Sequence, residues 1–175
     1  MDWWRISKYD PALRDESNVY RRDEWTSAAD IGRTHDGKTL DAETYRAVET
    51  AHVEAVRAFI DDAGVAALTV TSFQGPSERD YEYLETLSVP DSPELARQMQ
   101  QIHEGAELSG PELDNVLRLL LRKVFWCRLV HGERFIVDVL EYLYVCIGTV
   151  APSERAIART RALGLFVEET RDPST

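Results

Sequence analysis

The strongest constraint on the fold lies between residues 124 and 149, where two β-type runs flank a short turn. The first run covers residues 124–130 and the second covers residues 135–149, and both are rich in β-branched and aromatic side chains. The four residues between them, His131-Gly132-Glu133-Arg134, have the composition of a tight turn. We therefore expect a C-terminal β-hairpin, and the strands of a hairpin run antiparallel.

Helical patterns occupy much of the remaining chain. The clearest covers residues 41–63, where apolar side chains recur every three or four positions and Gly64 is placed to end the helix. Helix starts are also predicted at residues 92–94 and 152–154 from their Ser and Pro residues, and at residues 109–112 from a capping-box sequence.

Strand patterns at residues 3–9, 65–73 and 165–167 do not alternate strictly with these helices. Together with the hairpin, that order favours an α+β fold over a doubly wound parallel sheet. The length of 175 residues fits one domain of roughly 100–200 residues. We therefore predict a single α+β domain over residues 1–175, with a largely antiparallel sheet, a C-terminal β-hairpin and about four packed helices.

The chain is acidic, and its charge is unevenly placed. It has 31 Asp and Glu against 20 Lys and Arg, a formal net charge of −11. Residues 41–115 hold 16 of those acids and only 4 of the bases, so this middle block carries −12 and the other 100 residues carry +1. Such a balance argues against a nucleic-acid-binding domain and against docking on anionic membranes. The block either keeps the protein solvated or steers a basic partner towards it.

The cysteines and the N-terminus favour a cytoplasmic protein. Cys127 and Cys146 each lie inside an apolar run, and their spacing matches neither a disulfide framework nor a zinc or redox motif. The first ten residues, MDWWRISKYD, lack the apolar core of a secretory signal. No uninterrupted apolar run reaches the ~18 residues of a membrane span. We therefore expect a protein of a reducing compartment that makes no membrane contact.

No catalytic or metal-binding motif in the sequence is complete. Glu49 and His52 have the Glu-x-x-His spacing of di-iron bundles, but a second copy is missing and His52 lies on an apolar helical stripe. His103-Glu104 begins a zinc-protease motif that Glu107 interrupts, because the motif needs a histidine at that position. We therefore expect no cofactor and no metal, and we expect His52 to be buried and hydrogen-bonded.

A second set of residues leaves an enzymatic function open. Acidic, histidine and tyrosine side chains occur in an irregular segment at residues 10–40 and on one face of the second hairpin strand. Long irregular segments often carry function, and a histidine with acids can do general acid–base work. A small enzyme of unknown reaction would require these side chains to converge in one pocket. The residues concerned are Asp30, His35, Asp36, Asp138 and Tyr142.

Both ends of the chain carry a resemblance to a known family. The motifs are Trp4-Arg5-Ile6-Ser7-Lys8-Tyr9-Asp10-Pro11, Asp23-Glu24-Trp25-Thr26-Ser27, Asp30-Ile31-Gly32 and Gly164-Leu165-Phe166-Val167-Glu168. Together they resemble a family of small bacterial proteins that start with a W-R-I-x-K-Y-x-P-like strand and that look like immunity proteins. The resemblance spans nearly the whole chain. It departs at residues 140–144, which are Leu-Glu-Tyr-Leu-Tyr where the family pattern is Gly-Tyr-Asp-Tyr-Tyr.

The resemblance implies a cytosolic protein that binds and neutralises a cognate protein toxin. Because the middle block is acidic, we expect the toxin to be basic where it makes contact. Tyr81 and Tyr83 would be aromatic anchors among the acids. The expected partner-binding residues are Glu78, Asp80, Tyr81, Glu82, Tyr83, Glu85, Asp91, Glu94, Glu104 and Glu107. The oligomeric state is left open by the sequence.

Overall fold

The computed structural model of the protein describes residues 1–17, 19–89 and 91–174. Its α-helices are α1 (Ala42–Ala63), α2 (Glu78–Thr86), α3 (Ser92–Met99), α4 (Gly110–Leu121) and α5 (Glu154–Ala162). Its strands are β1 (Asp2–Ser7), β2 (Thr34–His35), β3 (Lys38–Thr39), β4 (Leu68–Gln74), β5 (Glu107–Leu108), β6 (Trp126–His131), β7 (Phe135–Val139), β8 (Val145–Thr149) and β9 (Phe166–Thr170).

Seven of the strands form one sheet in the order β5-β4-β6-β7-β8-β1-β9, and every neighbouring pair in it is antiparallel. The predicted α+β fold with a largely antiparallel sheet is therefore confirmed. The hairpin is β6–β7, and its turn uses Gly132 at a φ of 54°. The irregular N-terminal segment contains the small hairpin β2–β3, which lies outside the main sheet.

The helix α1 forms where the sequence predicts it, and its two ends show why. The Asp41 side chain accepts a hydrogen bond from the backbone N–H of Thr44, and Gly64 ends the helix with a φ of 63°. The helix α4 also begins where expected, but the predicted capping box is not made, because Ser109 forms no side-chain cap hydrogen bond.

The expectation of one long strand over residues 135–149 is wrong. The strand β7 ends at Val139, and the chain turns back through residues 141–143 before β8 begins. Tyr142 and Leu143 adopt φ values of 58° and 59°, a left-handed conformation that costs a residue with a Cβ roughly 1–2 kcal/mol. Asp138 therefore lies opposite Cys146 on the neighbouring strand, and Tyr142 leaves the sheet altogether.

The two faces of the sheet differ in chemistry. Helices α1, α4 and α5 pack on one face, which presents fully buried side chains such as Leu129, Val137 and Ile147. The other face carries a row of paired residues that runs across five strands: Arg128, Asp138, Cys146, Arg5 and Glu168. Burial of apolar side chains on the helix-covered face thus fixes the register of the strands, and charged pairs lie on the opposite face of the sheet.

An ion cluster is buried between the helices. Glu49 of α1 and Arg122 at the end of α4 are both fully buried, and the guanidinium donates from Nε and Nη2 to the two carboxylate oxygens at 2.7 and 2.8 Å. Arg118 Nη1 donates to Glu49 at 2.9 Å, and Arg122 Nη2 lies 2.9 Å from Asp91 Oδ1. Burial alone lowers the pKa of Arg122, but hydrogen bonds and the charges of Glu49 and Asp91 raise it above its usual value.

Removing the carboxylate of Glu49 should destabilise the fold strongly, because it leaves the buried Arg122 without its main partner. We expect Glu49→Ala to lower the free energy of unfolding by about 3–5 kcal/mol, as for other broken buried ion pairs. Urea titration followed by circular dichroism measures this. Glu54→Ala, an exposed site on the same helix, is the control and should cost no more than about 0.5 kcal/mol. Equal losses in the two variants would contradict this account.

The buried His52 should make stability depend on pH. Its side chain is fully buried, its Nδ1 donates to the Val48 carbonyl at 2.8 Å, and burial lowers its pKa. The unfolded chain binds this proton near pH 6.5 and the folded chain only at lower pH, so the free energy of unfolding should fall as the pH drops below about 6.5. Urea titrations at about pH 7.5 and about pH 5.5 measure this dependence. The difference in the free energy of unfolding between the two pH values should be smaller for His52→Gln than for the wild type. The exposed His103→Gln is the control, and an unchanged pH dependence in His52→Gln would contradict the assignment.

Candidate functional site

Six of the ten predicted contact residues lie on α2, a helix inside the acidic middle block that was not predicted from the sequence; they are Glu78, Asp80, Tyr81, Glu82, Tyr83 and Glu85. Asp80 Oδ2 accepts hydrogen bonds from the Ser77 backbone N–H at 2.7 Å and from the Ser77 hydroxyl at 2.8 Å, which completes a capping box. Leu84 is fully buried and fixes the inner face of the helix. The Ser-x-x-Asp spacing before an apolar position was the signal that could have revealed α2.

Three glutamates form a row on the outer face of α2. Glu78, Glu82 and Glu85 are all exposed and lie at positions i, i+4 and i+7. None of them forms an ion pair with another residue that the structure describes. Like charges one turn apart destabilise a helix by about 0.2–0.5 kcal/mol per pair. Glu78 in the first turn favours the helix dipole, but the repulsion between neighbouring members of the row opposes the helix.

Two other predicted contact residues are engaged within the protein. The Asp91 carboxylate lies 2.9 Å from Arg122 in the buried ion cluster. Glu104 accepts backbone hydrogen bonds from Ser72 at 3.2 Å and from Phe73 at 2.7 Å, where β4 is irregular. Asp91 is paired with a buried cation and Glu104 satisfies two backbone N–H groups, so a partner would have to compete for both carboxylates.

The last two predicted acids, Glu94 and Glu107, differ in whether they have an internal partner. Glu94 pairs with Arg97 one turn further along α3, whereas Glu107 is exposed on the edge strand β5 and has no ion-pair partner in the described ranges. The eight acids among the ten predicted residues thus divide into four carboxylates that the fold engages and four that have no ion-pair partner in the described ranges. The latter four are Glu78, Glu82, Glu85 and Glu107.

The two tyrosines of α2 face inwards more than expected. Tyr81 and Tyr83 are half-buried and pack against the hydrophobic core. Burial, followed by the charge of Asp30, raises the pKa of Tyr83. Their rings hold α2 against the protein body, so the acidic row is presented by a docked helix.

A separate depression of about 270 Å³ lies between residues 22–25, the hairpin β2–β3 and the start of α1. His35 Nδ1 lies 3.1 Å from Asp23 Oδ1, and Asp36 accepts from Arg22 at 3.1 Å. The hydrogen bond from His35 is the main cause that lowers the pKa of Asp23. This depression brings together His35 and Asp36, two of the five residues proposed for an enzyme.

Asp30 has a structural role next to that depression. Its Oδ2 accepts backbone hydrogen bonds from Thr26 at 2.8 Å and Ser27 at 3.2 Å, and its Oδ1 pairs with Arg33 at 3.1 Å. Burial alone raises the pKa of Asp30, but these bonds lower it below its usual value. The carboxylate therefore caps a turn, and its hydrogen-bonding capacity is used locally.

The remaining two residues of the enzymatic hypothesis lie elsewhere. Asp138 accepts from Arg128 at 2.9 and 2.7 Å and lines a second depression, which shares no residue with the one at His35. Tyr142 is 51% exposed in the turn after β7, with the Lys123 ammonium 5.1 Å from its ring centre. The convergence that an enzyme would require is not found: His35 and Asp36 line one depression and Asp138 lines another, and Tyr142, in the turn at residues 140–144, lines neither of them.

The two thiols are buried and unreactive by environment. Burial raises the pKa of Cys127 to about 12 and that of Cys146 to about 11.

Within the described ranges, no group of three or more His, Cys, Asp and Glu side chains could hold a metal ion. No helix in those ranges is long and apolar enough to span a bilayer.

Comparisons with known proteins found no matching family model, no similar curated protein and no similar solved structure.

The cap at Ser77 should control the order of the acidic helix. We expect Ser77→Ala to weaken α2 by about 0.5–2 kcal/mol, since an N-cap side chain is lost. Amide hydrogen exchange should then quicken across α2 and stay unchanged in α1. Ser88→Ala, at an exposed position beyond the helix, is the control. Unchanged exchange in α2 after Ser77→Ala would contradict the assigned role.

Proposed function

We propose that the protein is an inhibitor of the immunity type, which binds a protein toxin with a basic contact surface. The observation that carries this proposal is the row of Glu78, Glu82 and Glu85, exposed and without cation partners in the described structure. Repulsion between the three carboxylates opposes the helix, whereas a negative row complements the surface of a cationic protein.

The charge of the row suits fast capture of a basic partner. Complementary charges raise association rates from about 10⁵–10⁶ to as much as 10⁸–10⁹ M⁻¹s⁻¹ at low salt. Toxins that act on nucleic acids or nucleotides commonly present a positive cleft to the phosphates. An acidic helix can fill such a cleft and exclude the substrate.

The way α2 is held supports binding over a merely solvating role. The capping box at Ser77 fixes one end of the helix, and Leu84 with the half-buried Tyr81 and Tyr83 fixes its inner face. A surface that is ordered before binding loses less conformational entropy on association. The resemblance of residues 4–11 to the immunity-type family points to the same function.

Neutralising the row should slow association with the toxin. We expect the triple variant Glu78→Gln, Glu82→Gln and Glu85→Gln to lower the association rate at least tenfold at about 50 mM salt, and much less at about 500 mM. The partner to use is the protein encoded by the neighbouring gene, and stopped-flow mixing measures the rate.

The matched control changes the net charge equally at scattered exposed sites. It is the triple variant Glu16→Gln, Glu54→Gln and Glu133→Gln, which should alter the rate less than twofold. A wild-type complex that forms equally fast at both salt concentrations, or equal slowing in the two triple variants, would contradict the proposal.

A further inference from the structure

An apolar pocket of about 310 Å³, here called the sheet-end pocket, opens where α4 meets the ends of β6 and β7. The side chains of Lys123 and Glu141 also line it. Its volume is at the lower end of the roughly 300–1,000 Å³ of ligand pockets, so it suits one large side chain. Its apolar walls are Leu120, Phe125, Trp126, Val139 and Leu140.

A second depression of about 350 Å³ adjoins the sheet-end pocket. The two share Trp126 and Leu140, and the second is lined further by the Arg128–Asp138 ion pair. Trp126 and Leu140 therefore form a half-buried apolar ridge with a concavity on each side. Apolar and aromatic centres surrounded by polar groups are typical of the energetically important part of protein interfaces.

Backbone strain is concentrated around this end of the sheet. In the described residues, five non-glycine residues have positive φ, and Ser72, Lys123, Tyr142 and Leu143 are four of them, at 54°, 59°, 58° and 59°. None of the four is Asn or Asp, the types that tolerate this conformation best. Strained backbone persists where the surrounding structure enforces it and is common at binding sites.

The strain turns Tyr142 outward beside the pocket. Its side chain is 51% exposed, although a neighbouring residue of the same turn, Leu143, is buried. The ammonium of Lys123, which lines the pocket, lies 5.1 Å from the centre of the Tyr142 ring. The exposed ring therefore lies beside a residue that lines the pocket, and tyrosine is enriched among residues that dominate binding energy.

The sheet-end pocket lies close to the acidic row. Gln74 of β4 pairs with Trp126, and Glu78 follows Gln74 by four residues, which span at most about 14 Å of chain. One side of a standard interface covers about 800 Å², or roughly 30 Å across. The separation between Glu78 and the Trp126 wall of the pocket is therefore within the span of one standard interface.

We propose that the sheet-end pocket receives a large apolar side chain of the same basic protein that binds the acidic row. This inference rests on the proposed function. Charge favours a different protein over a second copy, since a two-fold dimer built on this surface would bring together two glutamate rows, which repel each other. A basic partner with an apolar anchor complements both parts of the surface.

The pocket can be tested without the toxin. In ¹³C-methyl NMR, N-acetyl-tryptophan amide should shift the Leu120, Val139 and Leu140 methyl signals saturably, while N-acetyl-lysine amide should leave them unchanged. Leu140→Lys should abolish the response, and Val150→Lys, an exposed control site, should not. The absence of saturable shifts, or shifts confined to other parts of the protein, would overturn the inference.

The complex with the neighbouring gene product tests the anchor itself. Tyr142→Gly should speed dissociation at least tenfold and leave the salt dependence of association unchanged. The urea midpoint of that variant should not fall, because glycine suits the positive φ. Tyr142→Phe, which keeps the ring, should dissociate like the wild type.

The two proposals fail in different ways. If Leu140→Lys and Tyr142→Gly bind the toxin as tightly as the wild type, the pocket is not an anchor site, although the acidic row still binds. If the wild type forms no complex with the neighbouring gene product, the proposed function fails, and this inference fails with it even where the tryptophan probe binds.

Discussion

The buried pairing of Glu49 with Arg122 is the interaction on which the arrangement of the helices depends. Both groups are fully buried, so each is stable only while the other is in place. The same guanidinium reaches Asp91, the residue before α3, and a second cation from α4, Arg118, completes the carboxylate's hydrogen bonds. The ion cluster therefore ties α1, α4 and the start of α3 together. A slip of α1 by one turn would remove the carboxylate and leave the cations unpaired, so the cluster also fixes how these helices are aligned.

The internal ion pairs distinguish the acidic side chains that the fold uses from those that it leaves exposed on the surface. The chain holds 31 acidic residues, but the structure engages many of them with cations or with backbone N–H groups. The glutamates of α2 differ because they are exposed, adjacent to one another and without internal partners in the described ranges. A net charge alone says little about a site, and it is this row of uncompensated charges on a docked helix that we propose as the binding surface. The strained turn at Tyr142 is the apolar contact that we propose for the same partner.

Most of the elements that depend on local sequence patterns were predicted correctly. The features that depend on contacts between residues far apart in the chain were missed. The period of residues 41–63 with Gly64, and the turn at Gly132, were sufficient for α1 and for the β6–β7 hairpin. The turn at residues 140–144 was missed because it contains no glycine, proline or asparagine, and its left-handed residues are enforced by tertiary packing. The partner of Glu49 lies 73 residues away, so spacing within one helix could not reveal it. Of the predicted site, the acidic character was readable, but which acids are free depends on cations and N–H groups brought in by the fold.

Hydrogen exchange of the complex with the neighbouring gene product tests the central claim most directly, because it maps the contact surface without any substitution. The account predicts slower exchange on binding in α2 and in the turn at residues 140–144, with little change at residues 22–44, where the separate depression lies. Protection concentrated at residues 22–44, with α2 exchanging as in the free protein, would contradict it.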